Sequence, residues 1–381
     1  MRVMTVLSTR PEIIKLSRVM AALDAVEGVE HIVVHTSQNW DFELRDIFFE
    51  EMSIRKPDYT LDTHGATPTE MTADIMVKLE PLVVRVKPDC ILILGDTNGC
   101  VATALVAKRN KVPLAHMEAG NRCFDERVPE EANRRVVDQL SDINLPYSSI
   151  ARENLLREGL PSDRIIKTGS PQKEVLGYYS EKICRSTIMD DLGLSHQEFF
   201  LVSVHREENC TPAKFNEFVK MLDKLADKYG KRIILSVHPR LRKMLDSPTT
   251  DLYDVVGLQT VRTGLDPLVE LHKPFGFFDY NKLQRNAKVV LSDSGTITEE
   301  SVLNSFPALN LREMHERPEG MEEAAVMMTG FKNAANCIST AIAHYPALVP
   351  LDWQEGNVSQ KVVRIILSYV DYVNRQVWKR F

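Results

Sequence analysis

The sequence predicts an α/β protein built from two doubly wound parallel sheets, and three observations carry that prediction. Short apolar runs recur without polar alternation, as strands do when both faces of a parallel sheet are covered. Longer segments with apolar residues at helical spacing separate them. The whole series then restarts after a cluster of Gly, Ser and Pro at Lys167–Gln172, which divides the 381 residues into two βα series of similar size.

The elements follow in order. "RVMTVLS" reads as the first strand, and "IIKLSRVMAALDAV" follows it with helical periodicity. "HIVVHT" is the second strand, and a long helix is expected from about Thr67 to Lys87. "CILIL" (Cys90–Leu94), "PLAHM" (Pro113–Met117) and "INL" (Ile143–Leu145) complete the first series. In the second, "FFLVSV", "RIILSV", "LQTV" (Leu258–Val261), "KVVLS" and "PALNL" are strands with helical patterns between them. A last helix covers about Ser359–Trp378 and fits either series.

Composition narrows the function. Hydrophobic residues at 44% supply sizeable cores, and a net charge of −6 gives no general attraction to nucleic acid or membrane. An anionic ligand therefore needs a local basic cluster. Six cysteines lie far apart with no C-x-x-C pair, which points to free thiols in a reducing compartment. The opening "MRVMTVLSTRPE" enters a strand directly, and no apolar run approaches the ~20 residues of a membrane helix. A cytoplasmic protein is expected.

Five strands run into conspicuous polar groups: Gly95-Asp96-Thr97, Glu118-Ala119-Gly120, His205-Arg206-Glu207-Glu208-Asn209, His238-Pro239-Arg240 and Asp293-Ser294-Gly295-Thr296. Ligands of open α/β sheets bind outside these carboxyl ends. In "DSGTITEE", Gly295 permits close approach to a ligand, and a helix starting near Thr296 aims its positive end at an anion. Thr296…Glu299 also fits a capping box, T-x-x-E, as does Thr9…Glu12 with Pro11 in the first turn. Capping does not account for Arg10 and Lys15, cations at the positive end of a helix dipole. Glu130 and Glu131 suit the start of a helix, and Arg134 lies one turn on, so an intrahelical ion pair competes with a catalytic role. His116, His205 and His238 lack H-x-x-H or H-E-x-x-H spacing, so no metal site is expected. Neither G-x-G-x-x-G nor a P-loop motif occurs, and no dinucleotide cofactor is expected.

The ordered set "STRPEIIK", "LGDTN", "HMEAG", "VPEEANR", "ENLLREGL", "TGSP", "VHREEN", "SVHP" and "SDSGTITEE" resembles the non-hydrolysing UDP-N-acetylglucosamine 2-epimerase family over almost the whole chain. The resemblance implies a GT-B architecture: two Rossmann-like domains facing across a cleft that closes on substrate. The domains implied are residues 1–168, joined by the C-terminal helix at about 359–381, and residues 169–358. It also implies a homodimer. "EIIKLSR", "HMEAGNRCFDERVPEEANRR", "DINLPYSSIARENLLREGLP" and "VHREEN" look like the UDP-N-acetyl-L-fucosamine synthase subgroup, which epimerises C2 of UDP-2-acetamido-2,6-dideoxy-L-talose for capsule and O-antigen synthesis.

The family eliminates UDP across C1–C2 and adds it back after protonating the other face of C2. The residues implied for proton transfer are Asp96, Glu118 and Glu130, with His205 near the departing phosphate. Arg10, Ser294, Gly295 and Thr296 are implied for the diphosphate, supported by Lys15, Arg134 and His238. Glu300 resembles the ribose-hydroxyl acceptor. Ser37–Phe42, Glu207 and Thr296 depart from the family pattern, and the first two departures bear on its activator site. The rivals are a UDP-GlcNAc 2-epimerase, a hydrolysing epimerase, a GT-B glycosyltransferase and a non-catalytic nucleotide-sugar sensor.

Overall fold

The computed structural model describes residues 1–37, 46–206, 209, 211–238, 241–242, 245 and 265–380. The chain forms two compact units, Met1–Tyr178 with Leu351–Phe381, and Tyr179–Pro350. Each is a parallel sheet flanked by helices, the α/β class expected.

The first unit has β1 (Arg2–Leu7), β2 (Glu30–His35), β3 (Tyr59–Thr60), β4 (Cys90–Leu94), β5 (Leu114–Met117) and β6 (Ile143–Leu145), in the spatial order β3-β2-β1-β4-β5-β6. All five residues of β4 are buried, which is why "CILIL" shows no alternation. Met4, Val34, Ile91, Ile93 and Leu114 share one core cluster with Leu79 and Ala104 from the helices. Burying each larger side chain contributes roughly 1.5–3 kcal/mol. The order runs outward from β1 to β3 and resumes at β4 beside β1. The β1/β4 boundary is thus the topological switch point, where ligands of such sheets bind.

Local chemistry sets the helix ends. Thr67 caps the helix Pro68–Val86 by accepting from the Glu70 N–H, with Pro68 at the first position. The last helix, Val358–Gln376, turns Val358, Val362, Val363, Ile366, Val370 and Val373 inward. It packs against the first helix of the chain, Arg10–Asp24.

The second unit has β7 (Phe199–Val204), β8 (Arg232–Val237), β9 (Val269–His272), β10 (Val289–Ser292), β11 (Ala308–Asn310) and β12 (Met327–Met328), ordered β12-β11-β10-β7-β8-β9. Its switch point lies between β7 and β10. The helix Pro212–Tyr229 is capped by Thr211 and ends on Gly230 in the left-handed region. The strand expected at Leu258–Val261 lies outside the described residues. β9 was not expected: it is a half-buried edge strand with charged Glu270, so its apolar signal is weak. Among the described residues, no helix is long and apolar enough to cross a membrane.

Candidate active site

At the first switch point, two loops are tied together by one carboxylate. Thr9 is extended (φ −129°, ψ 164°), as a capping residue must be, and the expected Thr9…Glu12 capping box is formed. The Glu12 carboxylate accepts from the Ser8 N–H at 2.6 Å and from the Thr9 N–H. Its other oxygen accepts from the Thr97 hydroxyl at 3.1 Å and the Cys100 thiol at 3.3 Å, beyond β4. Burial raises the Glu12 pKa to about 6, although all four donors oppose the shift. The fit is close: a Cβ on Gly99 would lie 2.0 Å from Ser8 Oγ.

The same turn opens the helix that carries Arg10 and Lys15. Lys15 Nζ meets Glu118 Oε2 at 2.7 Å, and both groups are largely buried. Glu118 follows β5 with φ +68°, a costly conformation for a residue with a Cβ, and accepts from Asn121 on its other oxygen. Asp96 follows β4, and the register Leu94↔Met117 sets Asp96 and Glu118 at neighbouring strand ends. Arg134 Nε holds Asp96 Oδ2 at 2.7 Å, and Arg134 Nη1 holds Glu131 Oε2 at 2.8 Å.

The charged stretch from His116 to Arg135 therefore serves two purposes. Arg122 and Asp138 are fully buried partners at 2.8 Å; Asp138 also meets His116 at 3.0 Å, and Arg122 reaches Glu158. Removing one member of such a buried pair strands a charge and costs on the order of 3–5 kcal/mol. Glu131 accepts from the Cys123 and Phe124 N–H groups at 3.0 and 3.2 Å. Burial alone would raise its pKa, but the Cys123 amide and Arg134 hold it below the usual carboxylate range. The intrahelical ion pair considered for Arg134 is formed with Glu131. Glu130 is half-buried on the same first turn and takes no part in the hydrogen bonds and ion pairs found here among the described residues.

At the second switch point, Asp293 follows β10 and His205 follows β7. His205 Nδ1 is 2.8 Å from Asp293 Oδ1, and the His205 and Arg206 N–H groups and Asn209 Nδ2 also donate to Asp293. Burial would raise the Asp293 pKa; the His205 charge and these hydrogen bonds outweigh it and hold the carboxyl well below its usual range. The His238 ring lies 5.8 Å from that of His205.

Ser294, Gly295 and Thr296 lead into the helix Ile297–Asn304. The capping box suggested for Thr296…Glu299 is not formed. Thr296 has helical dihedrals (φ −92°, ψ −5°) rather than the extended ones a cap needs, and its hydroxyl donates to Glu300 Oε1 at 2.6 Å. Gln284 donates to the other Glu300 oxygen at 2.6 Å. A Cβ on Gly295 would meet Glu316 Oε2 at 3.0 Å and Arg206 Nη2 at 3.2 Å.

The candidate residues thus gather in two groups: Arg10, Lys15, Asp96, Glu118 and Arg134 in the first unit, and His205, His238, Ser294, Gly295, Thr296 and Glu300 in the second. Sequence reasoning missed Glu12 and Asp293 as organisers. Glu12 showed only as part of a capping box, and Asp293 only as the residue before Ser294. Residues 38–42 and Glu207, where the sequence departs from the family pattern, lie outside the described residues. Among the described residues, no cluster of His, Cys, Asp and Glu is placed to hold a metal ion.

The family profile described as UDP-N-acetylglucosamine 2-epimerase matches residues 21–367. UDP-N-acetylglucosamine 2-epimerase of Methanocaldococcus jannaschii is 33% identical over 340 residues, covering 87% of this chain and 88% of that protein. UDP-2,3-diacetamido-2,3-dideoxy-D-glucuronate 2-epimerase of Pseudomonas aeruginosa is 32% identical over 334 residues, covering 87% and 88%. Among solved structures, UDP-N-acetylglucosamine 2-epimerase from Rickettsia bellii superposes with a TM-score of 0.89 at 40% identity, over 100% of both chains. The M. jannaschii enzyme in complex with UDP-GlcNAc and UDP gives 0.88 at 29% identity, over 96% of this chain and 99% of that one.

Proposed function

Because the chain belongs to the UDP-N-acetylglucosamine 2-epimerase family, and so is an isomerase acting at C2 of a UDP-activated sugar, we propose that it converts UDP-2-acetamido-2,6-dideoxy-L-talose to UDP-N-acetyl-L-fucosamine. The observation that supports this chemistry best is the pair Asp96 and Glu118, at adjacent strand ends and each fixed by a cation. Inverting a carbon whose proton is not α to a carbonyl needs a route other than simple deprotonation. A carboxylate takes the C2 proton, the C–H electron pair becomes the C1–C2 double bond, and the C1–O pair leaves with UDP. A second proton donor then serves the opposite face of C2 as UDP returns to C1. The cycle consumes no oxidant or reductant.

Asp96, Glu118 and Glu130 are the candidates for proton transfer. Lys15 and Arg134 hold two of these carboxylates in place and support the diphosphate from there. Asp293 fixes His205 through Nδ1, and Nε2 is the ring nitrogen we assign to the leaving phosphate. Arg10, the Gly295 backbone and the Ser294 and Thr296 hydroxyls stabilise the charge that develops on it, with His238 alongside. Glu300, already accepting from two neutral donors, accepts from the ribose hydroxyls. We place the enzyme as a homodimer in the cytoplasm, in a pathway to capsule or O-antigen.

The test is NMR in D2O with UDP-2-acetamido-2,6-dideoxy-L-talose and UDP-GlcNAc in separate samples and no acceptor. Deuterium at C2 of the L-sugar, with little turnover of UDP-GlcNAc, is expected. Fast formation of UDP-ManNAc would instead favour a UDP-GlcNAc 2-epimerase, the activity named for most of the relatives above. No exchange with either sugar overturns both readings.

A further inference from the structure

The segment 121–127, between Glu118 and the helix Pro129–Leu140, is fastened by nearly every residue in it. Asn121 bonds Glu118, and Arg122 is held by Asp138 and Glu158. The Cys123 and Phe124 amides bond Glu131, Asp125 bonds Arg127, and Glu126 pairs with Arg135. One side chain departs from this pattern. Phe124 is 73% exposed, and its backbone sits at φ +55°, in the left-handed region that a residue with a bulky side chain rarely adopts. A mobile loop could turn such a ring inward, and this one is pinned with the ring outward. The pin leads to the chemistry in three contacts: the Phe124 amide to Glu131, Glu131 to Arg134, and Arg134 to Asp96.

We propose that Phe124 is a specificity-determining residue, an aromatic platform on which the apolar C5–C6 edge of the sugar packs during epimerisation. The proposal rests on the substrate reading above. A 6-deoxy sugar presents a methyl group where UDP-GlcNAc presents a hydroxyl, and an aromatic face favours the methyl. Backbone strain of this kind clusters at active sites and ligand clamps, and here it falls in the segment whose Asn121 bonds Glu118.

Two variants of the full chain test this. Phe124→Gly relieves the backbone strain, and Phe124→Ala removes the ring without adding a flexible residue. Melting temperature is expected to be unchanged or higher in Phe124→Gly, because the ring is mostly in solvent. For the L-talo substrate, kcat/KM is expected to fall about 10-fold or more in both variants, the scale of one apolar group in a pocket, mainly through KM. Discrimination against UDP-GlcNAc is expected to narrow. Unchanged kcat/KM in both variants overturns the proposal, as does a loss of activity that tracks a fall in melting temperature. If the wild-type protein converts only UDP-GlcNAc, the substrate reading falls by itself. The platform then stands or falls on whether Phe124→Gly lowers kcat/KM for that sugar.

Discussion

At the scale of single residues, the site is a set of charges that fix one another. Lys15 holds Glu118, and Arg134 divides its guanidinium between Asp96 and Glu131. Asp96→Asn and Glu118→Gln keep size and polarity but remove the base, so kcat should fall roughly 100-fold or more while UDP affinity by calorimetry changes little. Turnover near wild type in both amides would remove these carboxylates from the mechanism. Sequence alone marked Asp96, Glu118, Arg134 and His205 as candidates, because each follows a strand end or sits one helical turn from an acid. Helix-dipole reasoning by itself could not separate Glu130 from Glu131. Two adjacent acids in a first turn look alike until the fold shows which one faces the Cys123 and Phe124 amides. Asp293 was hidden for a similar reason: its partner His205 lies just past the end of a strand, 88 residues earlier.

At the scale of elements, Glu12 is the joint between two strand-to-helix turns. Its folded pKa of about 6 lies above the ordinary 4.5, so the folded state holds the proton longer than the unfolded chain does. That contribution to stability is fully present below about pH 4.5 and is lost as pH rises through about 6. The amount is on the order of 2 kcal/mol. In Glu12→Gln this dependence disappears, so the melting temperature of wild type minus that of the variant should fall as pH rises from about 4.5 to about 7. A gap constant across that range would show that Glu12 does not titrate there. Element order was largely readable: β4 is "CILIL" and β6 is "INL", as the unbroken apolar runs indicate. The failures have physical causes. β3 and β12 are two-residue edge strands, too short for a period, and β9 carries a charge at the sheet edge. The Thr296…Glu299 pattern also misled, because a capping box read in sequence presumes an extended residue and Thr296 is helical.

At the scale of the whole molecule, each unit has its own sheet and core, and the chain visits the first unit twice. The helix Val358–Gln376 buries six aliphatic residues, beginning with Val358 and ending with Val373. Deleting residues 358–381 would uncover that stripe's partner surface on the helix Arg10–Asp24. Loss of soluble protein, or a melting temperature lowered by at least 10 °C, is expected, since several buried aliphatic side chains at roughly 1.5–3 kcal/mol each are at stake. A soluble truncation with an unchanged melt would show that the helix is dispensable. The same feature governs how the protein is made. A ribosome delivers the strands of the first unit early but its closing helix only after all of the second unit, so residues 1–178 must wait, with an apolar groove uncovered, through the synthesis of some 180 further residues. At about 5–20 residues per second that wait lasts on the order of 10–40 seconds. A nascent chain stalled anywhere in the second unit would display that uncovered surface to chaperones.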